Sequence, residues 1–244
     1  MKVIITDNYQ ESCRIAAEMI RDVIAEKPNA KLGLATGGTP VPIYKNLIKM
    51  NQQGEVDFAS VHTVNLDEYI GLEGSHPQSY RYFMDTNLFD HININKANTY
   101  VAKGTGNPAD NAAELEQKVF ENGVPDLQLL GIGNNGHIAF NEAGNHLVAV
   151  SHIETLTEST IEANARFFDK KEDVPTTSIT MGMRGILAAK MPLLVATGAS
   201  KAEAIRGLLT NDEITTQNPS TFLKLHPQAT VIIDKELAQL AGVQ

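Results

Sequence analysis

Short runs of apolar and β-branched residues alternate along this chain with longer segments of helical periodicity. The apolar runs are mostly continuous rather than alternating with polar residues, which is typical of strands buried on both faces of a parallel sheet. Six runs predict strands, at residues 2–6, 31–35, 60–66, 126–132, 191–197 and 230–234. A chain with this alternation is restricted to α/β folds, in which helices cross between parallel strands.

The segments between the runs carry helix signals. One apolar face at Ile15, Ile20 and Ile24 predicts a helix that Pro28 ends, and Asn107-Pro108 is a helix start with proline at the first helical position. Further helices are predicted at 41–50, 156–168, 199–209 and 235–240, with no obvious strand between 133 and 175. The prediction is a three-layer α/β, Rossmann-like open sheet, mostly parallel. It forms a single domain, residues 1–244, in which segment 150–176 is a helical lid over the carboxyl edge.

Composition narrows the possible partners. The chain has 20 Lys and Arg against 29 Asp and Glu, a net charge of −9, and no basic stripe, so we expect no nucleic-acid partner. No window of 18 apolar residues or signal peptide is apparent, so we expect no membrane association. Cys13 is the one cysteine, which excludes an internal disulfide and fits a reducing compartment. We therefore expect a cytoplasmic protein.

Ligands of open parallel sheets bind beyond the carboxyl ends of the strands. Four predicted strands are followed there by polar or glycine-rich segments, at residues 36–40, 67–69, 133–137 and 198–201. This convergence exceeds what loop formation requires and predicts a functional site at that edge.

The first of these segments, Thr-Gly-Gly-Thr-Pro, has the character of an anion cradle. Gly37 and Gly38 let backbone N–H groups approach a ligand, and the helix that follows Thr39 favours negative charge at its start. Lys201 repeats the arrangement after another strand, and Arg166 lies in the lid, where it can hold a phosphate with two hydrogen bonds. Each signal alone is also compatible with an ordinary tight turn, a surface lysine or a rim arginine.

Residues 131–136, Gly-Ile-Gly-Asn-Asn-Gly, match the dinucleotide fingerprint formally, but no amphipathic helix follows them, so we reject nicotinamide binding. His137 and Glu142 flank an apolar bend, where a carboxylate can orient an imidazole for acid–base work. A histidine that only bridges loop backbone is the alternative. No third ligand stands at metal-site spacing, so we expect no metal.

Asp67 follows a predicted strand beside Tyr69, where partial desolvation would raise its pKa and make it a better base toward an acidic C–H bond. An aspartate that caps the following turn is the alternative. A phosphate cradle, a carboxylate base and a His–Glu pair, without a cofactor motif, suit proton transfer between adjacent carbons of a sugar phosphate.

Over nearly its whole length the sequence resembles the glucosamine-6-phosphate deaminase (glucosamine-6-phosphate isomerase) family. The resemblance is carried by the motifs LGLATGGTP, VNLDEYIGL, HPQSYRYFM, GIGNNGHIAFNE, TLTESTIEANARFF, TMGMRGILAAK, GASKAEAI and LKLHP. It implies conversion of glucosamine 6-phosphate and water to fructose 6-phosphate and ammonia, with no metal or organic cofactor.

The resemblance also implies residue roles. Asp67 would be the base that moves a proton between C2 and C1, His137 would open the pyranose ring, and Glu142 would orient His137. The phosphate would be held by Gly37, Gly38, Thr39, Arg166 and Lys201.

Two positions depart from the pattern of many relatives. Asn135 stands where they have aspartate; it cannot ionise, so ring opening would depend on His137 and Glu142. The allosteric relatives bind N-acetylglucosamine 6-phosphate through basic residues where this chain has His152-Ile153-Glu154, and through a longer tail, whereas this chain ends at Gln244. We therefore expect the short, non-allosteric branch, working as a monomer.

Three alternatives remain open from sequence. A 6-phosphogluconolactonase would share the architecture but needs no C–H abstraction. A galactosamine-6-phosphate deaminase would differ in contacts to one hydroxyl group. A sensor that binds a sugar phosphate without turnover is supported by Asn135 alone.

Overall fold

The computed structural model describes residues 1–243, and Gln244, the last residue of the predicted domain, lies outside the described residues. The strands over this range are β1 (Lys2–Thr6), β2 (Lys31–Leu34), β3 (His62–Asn65), β4 (Asp67–Tyr69), β5 (Thr99–Tyr100), β6 (Leu127–Leu130), β7 (His152–Thr155), β8 (Thr177–Thr180), β9 (Pro192–Ala196) and β10 (Thr230–Asp234). The α-helices are α1 (Tyr9–Glu26), α2 (Val41–Gln52), α3 (Tyr80–Asn87), α4 (Pro108–Phe120), α5 (Glu158–Asn164), α6 (Met183–Ala188), α7 (Ala202–Leu209) and α8 (Lys235–Ala241).

Seven strands form a parallel sheet in the order β1-β10-β9-β6-β2-β3-β5. From β2 the chain runs outward to β3 and β5, then returns to β6 and continues to the other side through β9 and β10. The direction of winding therefore reverses between β2 and β6. Such a switch point opens a crevice at the carboxyl ends of the strands.

Helices flank the sheet and close its apolar faces. Strands β6, β9 and β10 are buried along their whole length, and Ile20 of α1, Leu47 of α2 and Leu115 of α4 are also in the core. The predicted α/β sheet with flanking helices is confirmed. Parallel strands need both faces covered, and the apolar runs of the inner strands are buried accordingly, whereas β1, at the edge of the sheet, leaves Val3 and Ile5 exposed.

The predicted helix starts are also found. Asn107 accepts a hydrogen bond from the backbone N–H of Ala109 at the start of α4, with Pro108 in the first turn. The helix predicted at 199–209 begins as a 3₁₀ turn, Ala199–Lys201, and continues as α7. The helices α3 and α6 were not predicted.

The strand predicted at 60–66 is found in shortened form as β3, but the short strand that follows it, β4, was not predicted. The chain bends at Leu66, so β3 remains in the large sheet while β4 pairs antiparallel with β8 in a small second sheet, ordered β4-β8-β7. The backbone N–H of Leu66 still bonds to Leu34, but its carbonyl accepts from Met181 next to β8. A change of pairing partner within one apolar run leaves no mark in the hydrophobic pattern.

The segment 133–175 also differs from its prediction, because it contains a strand. β7 has alternating exposure and a polar sequence, His-Ile-Glu-Thr, and it is held by β8 rather than by apolar content. The helix expected at 156–168 is shorter: α5 is followed by a 3₁₀ turn, Ala165–Phe167. Among the described residues no helix is long and apolar enough to span a membrane.

Candidate active site

A cleft opens at the carboxyl ends of β2, β3 and β6, next to the switch point of the sheet. Every predicted site residue except Glu142 lines it; the lining members are Gly37, Gly38, Thr39, Asp67, Asn135, His137, Arg166 and Lys201. Glu142 lies behind His137 and Asn135 and contacts both. The segment of α5 and the turn after it closes one side of the cleft, where the lid was expected.

The loop after β2 is held open as an anion cradle by two tyrosine hydroxyls. Tyr44 Oη donates to the carbonyl of Ala35 at 2.5 Å, and Tyr9 Oη donates to the carbonyl of Thr39 at 2.8 Å. Gly37 has a φ of +93°, a conformation that favours glycine, and α2 begins directly after the loop. Backbone N–H groups and a helix start therefore lie together in the cleft, as an anion requires.

Two cations complete this end of the cleft. Lys201 Nζ donates to Asn134 Oδ1 at 2.7 Å, and burial together with the neighbouring Arg166 charge lowers the pKa of Lys201 to about 8. Arg166 lies over the Phe167 ring, 4.7 Å from its centroid. Among residues 1–243 neither cation forms a salt bridge with a carboxylate, and two neighbouring positive charges in this arrangement favour an anionic ligand.

Asp67 is a buried carboxyl group at the wall of the cleft, only 6% exposed. Burial, helped by the charge of Glu68, raises the pKa of Asp67 to about 8. Glu68 accepts backbone N–H bonds from Tyr69, Tyr80 and Arg81 at 2.8, 2.9 and 3.0 Å, which fixes β4 to the start of α3. Burial nevertheless raises the pKa of Glu68 to about 7, although these bonds oppose the shift.

Glu142 is the centre of a hydrogen-bond network. Asn135 Nδ2 donates to Glu142 Oε2 at 2.9 Å, and His137 Nδ1 lies 3.4 Å from the same oxygen, an ion-pair contact too long for a well-formed hydrogen bond. Thr160 Oγ1 donates to the other oxygen, Oε1, at 2.5 Å. Although burial opposes it, the interactions with His137, Thr160 and Asn135 together lower the pKa of Glu142 to about 2.

The loop between Gly133 and Asn141 is shaped around His137. A Cβ atom on Gly133 would stand 2.3 Å from the His137 ring, so only glycine admits the imidazole there. Ala139 has a φ of +52°, and a backbone bridge between Ile138 and Asn141 closes the bend. No α-helix follows Gly136 before α5 in the described chain, which agrees with the rejection of a dinucleotide fold at this motif.

Sequence reasoning missed four residues of the site: Glu68, Tyr80, Asn134 and Thr160. Glu68 directly follows Asp67, and Asn134 precedes Asn135, so adjacency was an available signal. Tyr80 lines the cleft from the start of α3, which was not predicted as a helix. Thr160 reaches Glu142 only because α5 folds back over the cleft. Within residues 1–243 no cluster of three or more His, Cys, Asp or Glu side chains could hold a metal ion.

A family model and full-length relatives place the chain in the same protein family. The model of the family "Glucosamine-6-phosphate isomerases/6-phosphogluconolactonase" matches residues 6–232. The chain is 52% identical over 239 residues to a glucosamine-6-phosphate deaminase of Clostridium beijerinckii, covering 98% of both chains. It is 51% identical to a protein of the same name from Thermoanaerobacter pseudethanolicus, covering 98% of this chain and 95% of the relative.

Solved structures extend the comparison. The fold matches a monomeric glucosamine-6-phosphate deaminase with a TM-score of 0.95 and 43% identity, covering 98% of this chain and 100% of the other. It also matches a 6-phosphogluconolactonase from Trypanosoma cruzi with a TM-score of 0.74, at 18% identity and with 98% and 96% of the two chains covered, a likeness of fold alone.

Proposed function

The chain belongs to the family of glucosamine-6-phosphate isomerases and 6-phosphogluconolactonases, and from that membership we propose that it is an enzyme that converts glucosamine 6-phosphate and water to fructose 6-phosphate and ammonia. The relatives named for this reaction align over nearly the full length of both chains. The observation that carries the choice of reaction is a buried carboxyl group, Asp67, in the same cleft as a histidine–carboxylate pair and two cations.

His137 begins the reaction on the ring form of the sugar. It takes the proton of the O1 hydroxyl and returns a proton to the ring oxygen, so that the bond from C1 to that oxygen breaks and an open-chain aldehyde forms. Contact of His137 Nδ1 with Glu142 Oε2 at 3.4 Å supports this role, because a carboxylate stabilises the imidazolium that forms between the two transfers.

Asp67 then moves a proton between carbons. Its carboxylate takes the proton from C2 while the electrons move toward the C1 carbonyl, whose oxygen takes up a proton, giving an enolamine. The proton held by Asp67 is then returned to C1 and the amino group gives up one proton, which leaves a hydroxyl at C1 and an imine at C2. Water adds to this imine and ammonia leaves, giving the C2 ketone. Burial supports this role, because a carboxyl group with a pKa near 8 is a stronger base than an exposed aspartate.

The phosphate is held by the cradle at Gly37, Gly38 and Thr39 and by the cations of Arg166 and Lys201. The open loop, the start of α2 and the two neighbouring cations support this assignment. Binding the phosphate far from C1 and C2 fixes the reacting carbons against Asp67.

Asn135 acts as a hydrogen-bond donor to Glu142 rather than as an acid, and its 2.9 Å bond to Oε2 supports this role. We further propose a monomer without an allosteric site, supported by the likeness to a monomeric deaminase. The continuous apolar core supports one domain over residues 1–244, and the free, buried Cys13 supports a cytoplasmic location.

The test compares two substrates. Purified protein is given glucosamine 6-phosphate and, separately, 6-phosphogluconolactone, while ammonia release and acid release are followed. Turnover of the amino sugar alone is expected. Turnover of the lactone alone would replace the proposal with a lactonase, and binding of the amino sugar without ammonia would replace it with a sensor. A parallel run with galactosamine 6-phosphate decides the epimer.

A further inference from the structure

The two oxygens of Glu142 face different partners. Oε2 meets Asn135 and His137, at 2.9 and 3.4 Å. Oε1 accepts the 2.5 Å hydrogen bond of Thr160 Oγ1, and the backbone N–H of Thr157 lies 3.5 Å from it. Both members of the Thr160–Glu142 pair are buried, Thr160 at 4% and Glu142 at 7% exposure. This short bond is thus shielded from water.

The direction of the bond follows from the neighbours of Thr160. A carboxylate only accepts hydrogen bonds, so the hydroxyl of Thr160 donates its one proton to Glu142. Thr157 Oγ1 lies 3.1 Å from Thr160 Oγ1 and donates to it. A chain of hydroxyl groups at the start of α5 therefore ends on the carboxylate, and each bond strengthens the next.

Thr160 lies in the same short segment as Arg166, which is proposed to bind the phosphate. Arg166 follows α5 in the next 3₁₀ turn, and Asn164 at the end of α5 donates to Tyr69 Oη at 2.9 Å. The segment 158–167 is thus fixed at Glu142 by Thr160 and at β4 by Asn164. A shift of this segment therefore displaces two groups together: Arg166, the proposed phosphate-binding cation, and Thr160, the hydrogen-bond partner of Glu142.

We propose that Thr160 is a positioning residue, which holds Glu142 Oε1 so that Oε2 faces His137 and which joins the phosphate-binding segment to the ring-opening pair. The inference rests on the proposed function. Glu142 has one rotatable carboxyl group and its contact to His137 is long, so a bond on the opposite oxygen decides how often the pair is aligned. Without it, the carboxyl group is held by Asn135 on Oε2 and by the long contact of Thr157 on Oε1, so it rotates more freely and Oε2 faces His137 less often.

The kinetic test uses Thr160→Val, which keeps the shape and removes the hydroxyl, and Thr160→Ser, which keeps the hydroxyl. Thr160→Val is expected to lower kcat about tenfold, the effect of one charge-assisted hydrogen bond, with KM changed less than about twofold. Thr160→Ser should retain most of the wild-type kcat. Thr86→Val is the matched control, because Thr86 is an exposed helix residue whose hydroxyl bonds only within α3, to two carbonyls and to the neighbouring Asn87 side chain.

A second measurement does not depend on turnover. The Glu142 carboxyl carbon is followed by ¹³C NMR during an acid titration of wild-type and variant proteins. Loss of the Thr160 donor should move the titration of Glu142 upward from about 2, while Thr160→Ser and Thr86→Val leave it in place. Should Thr160→Val fail to fold, Thr160→Ala supplies the same comparison.

The outcomes separate the two proposals. Wild-type protein that releases no ammonia refutes the proposed function, and the titration alone then decides whether Thr160 holds Glu142. Active wild-type protein with unchanged kcat and unchanged Glu142 titration in Thr160→Val overturns the positioning role. A fall in kcat that Thr160→Ser does not restore also overturns it, because that pattern reports packing rather than a hydrogen bond.

Discussion

As the proposed base, Asp67 should determine the acid side of the pH profile. Its pKa is raised to about 8, first by burial and second by the charge of Glu68. A base works only as its carboxylate, and a carboxyl group is protonated below its pKa. We therefore expect kcat/KM to fall about tenfold per pH unit below about 8. Measuring kcat/KM between about pH 5.5 and 9 checks this, and Glu68→Gln should move the limb to lower pH. A limb near the ordinary aspartate range would contradict the account.

As a proposed phosphate ligand, Lys201 should determine the alkaline side of the pH profile. A lysine is charged below its pKa, which burial and the Arg166 charge lower to about 8, so phosphate binding should weaken as the pH rises through that value. The measurement is calorimetric binding of inorganic phosphate between about pH 7.5 and 9.5. Lys201→Arg is the matched variant, because a guanidinium stays charged and should remove the weakening. Equal pH dependence in both proteins would show that another group is responsible.

Residue types at strand ends were predictable, whereas contacts made by folding back were not. Asp67, His137 and the glycines of the cradle lie in the segments that follow strands, and a parallel sheet brings such segments to one edge. The bond of Thr160 to Glu142 joins residues 18 apart and depends on the exact path of α5. No local pattern encodes that path.

At the scale of elements, the loop after β2 depends on its two tyrosine braces. Tyr9→Phe removes the 2.8 Å bond to the carbonyl of Thr39 and leaves the ring in place. One neutral hydrogen bond is worth about 1 kcal/mol, so we expect KM to rise about fivefold with kcat little changed. Steady-state kinetics check this. Tyr82→Phe is the control, since Tyr82 is exposed on α3 and does not line the cleft. A fall in kcat without a change in KM would place Tyr9 outside phosphate binding.

The strands of the two sheets differ in how clearly the amino-acid sequence marks them. β6, β9 and β10 are covered on both faces, so their apolar runs mark them. β7 is half exposed and polar, and β5 has two residues. Such strands form because a neighbouring strand pairs with them through backbone hydrogen bonds, as β8 does with β7. Pairing with a neighbouring strand is tertiary context, and it overrides the intrinsic strand propensity of the residues.

At the scale of the whole molecule, the charge of the protein opposes its ligand. A net charge of −9 repels a sugar phosphate, so the cations at Arg166 and Lys201 must act locally. Screening by salt weakens the long-range repulsion more than the contact pairing. We therefore expect moderate salt to lower the affinity for the sugar phosphate only slightly.

The proposal of a monomer without an allosteric site predicts simple kinetic and hydrodynamic behaviour. We expect sedimentation velocity to give a single species near the chain mass of 26.5 kDa, and initial rates to follow a hyperbola in glucosamine 6-phosphate. Added N-acetylglucosamine 6-phosphate should not activate the enzyme. A hexamer, or a sigmoidal curve that this ligand makes hyperbolic, would refute the monomer proposal.

The central claim is that Asp67 carries out proton transfer on an amino-sugar phosphate. The most direct measurement mixes purified protein with glucosamine 6-phosphate, without added metal, and quantifies ammonia and fructose 6-phosphate in the same samples. We expect equal amounts of both products, and loss of both in Asp67→Asn, a near-isosteric variant that should still bind inorganic phosphate. Equal product formation by wild-type protein and Asp67→Asn would contradict it.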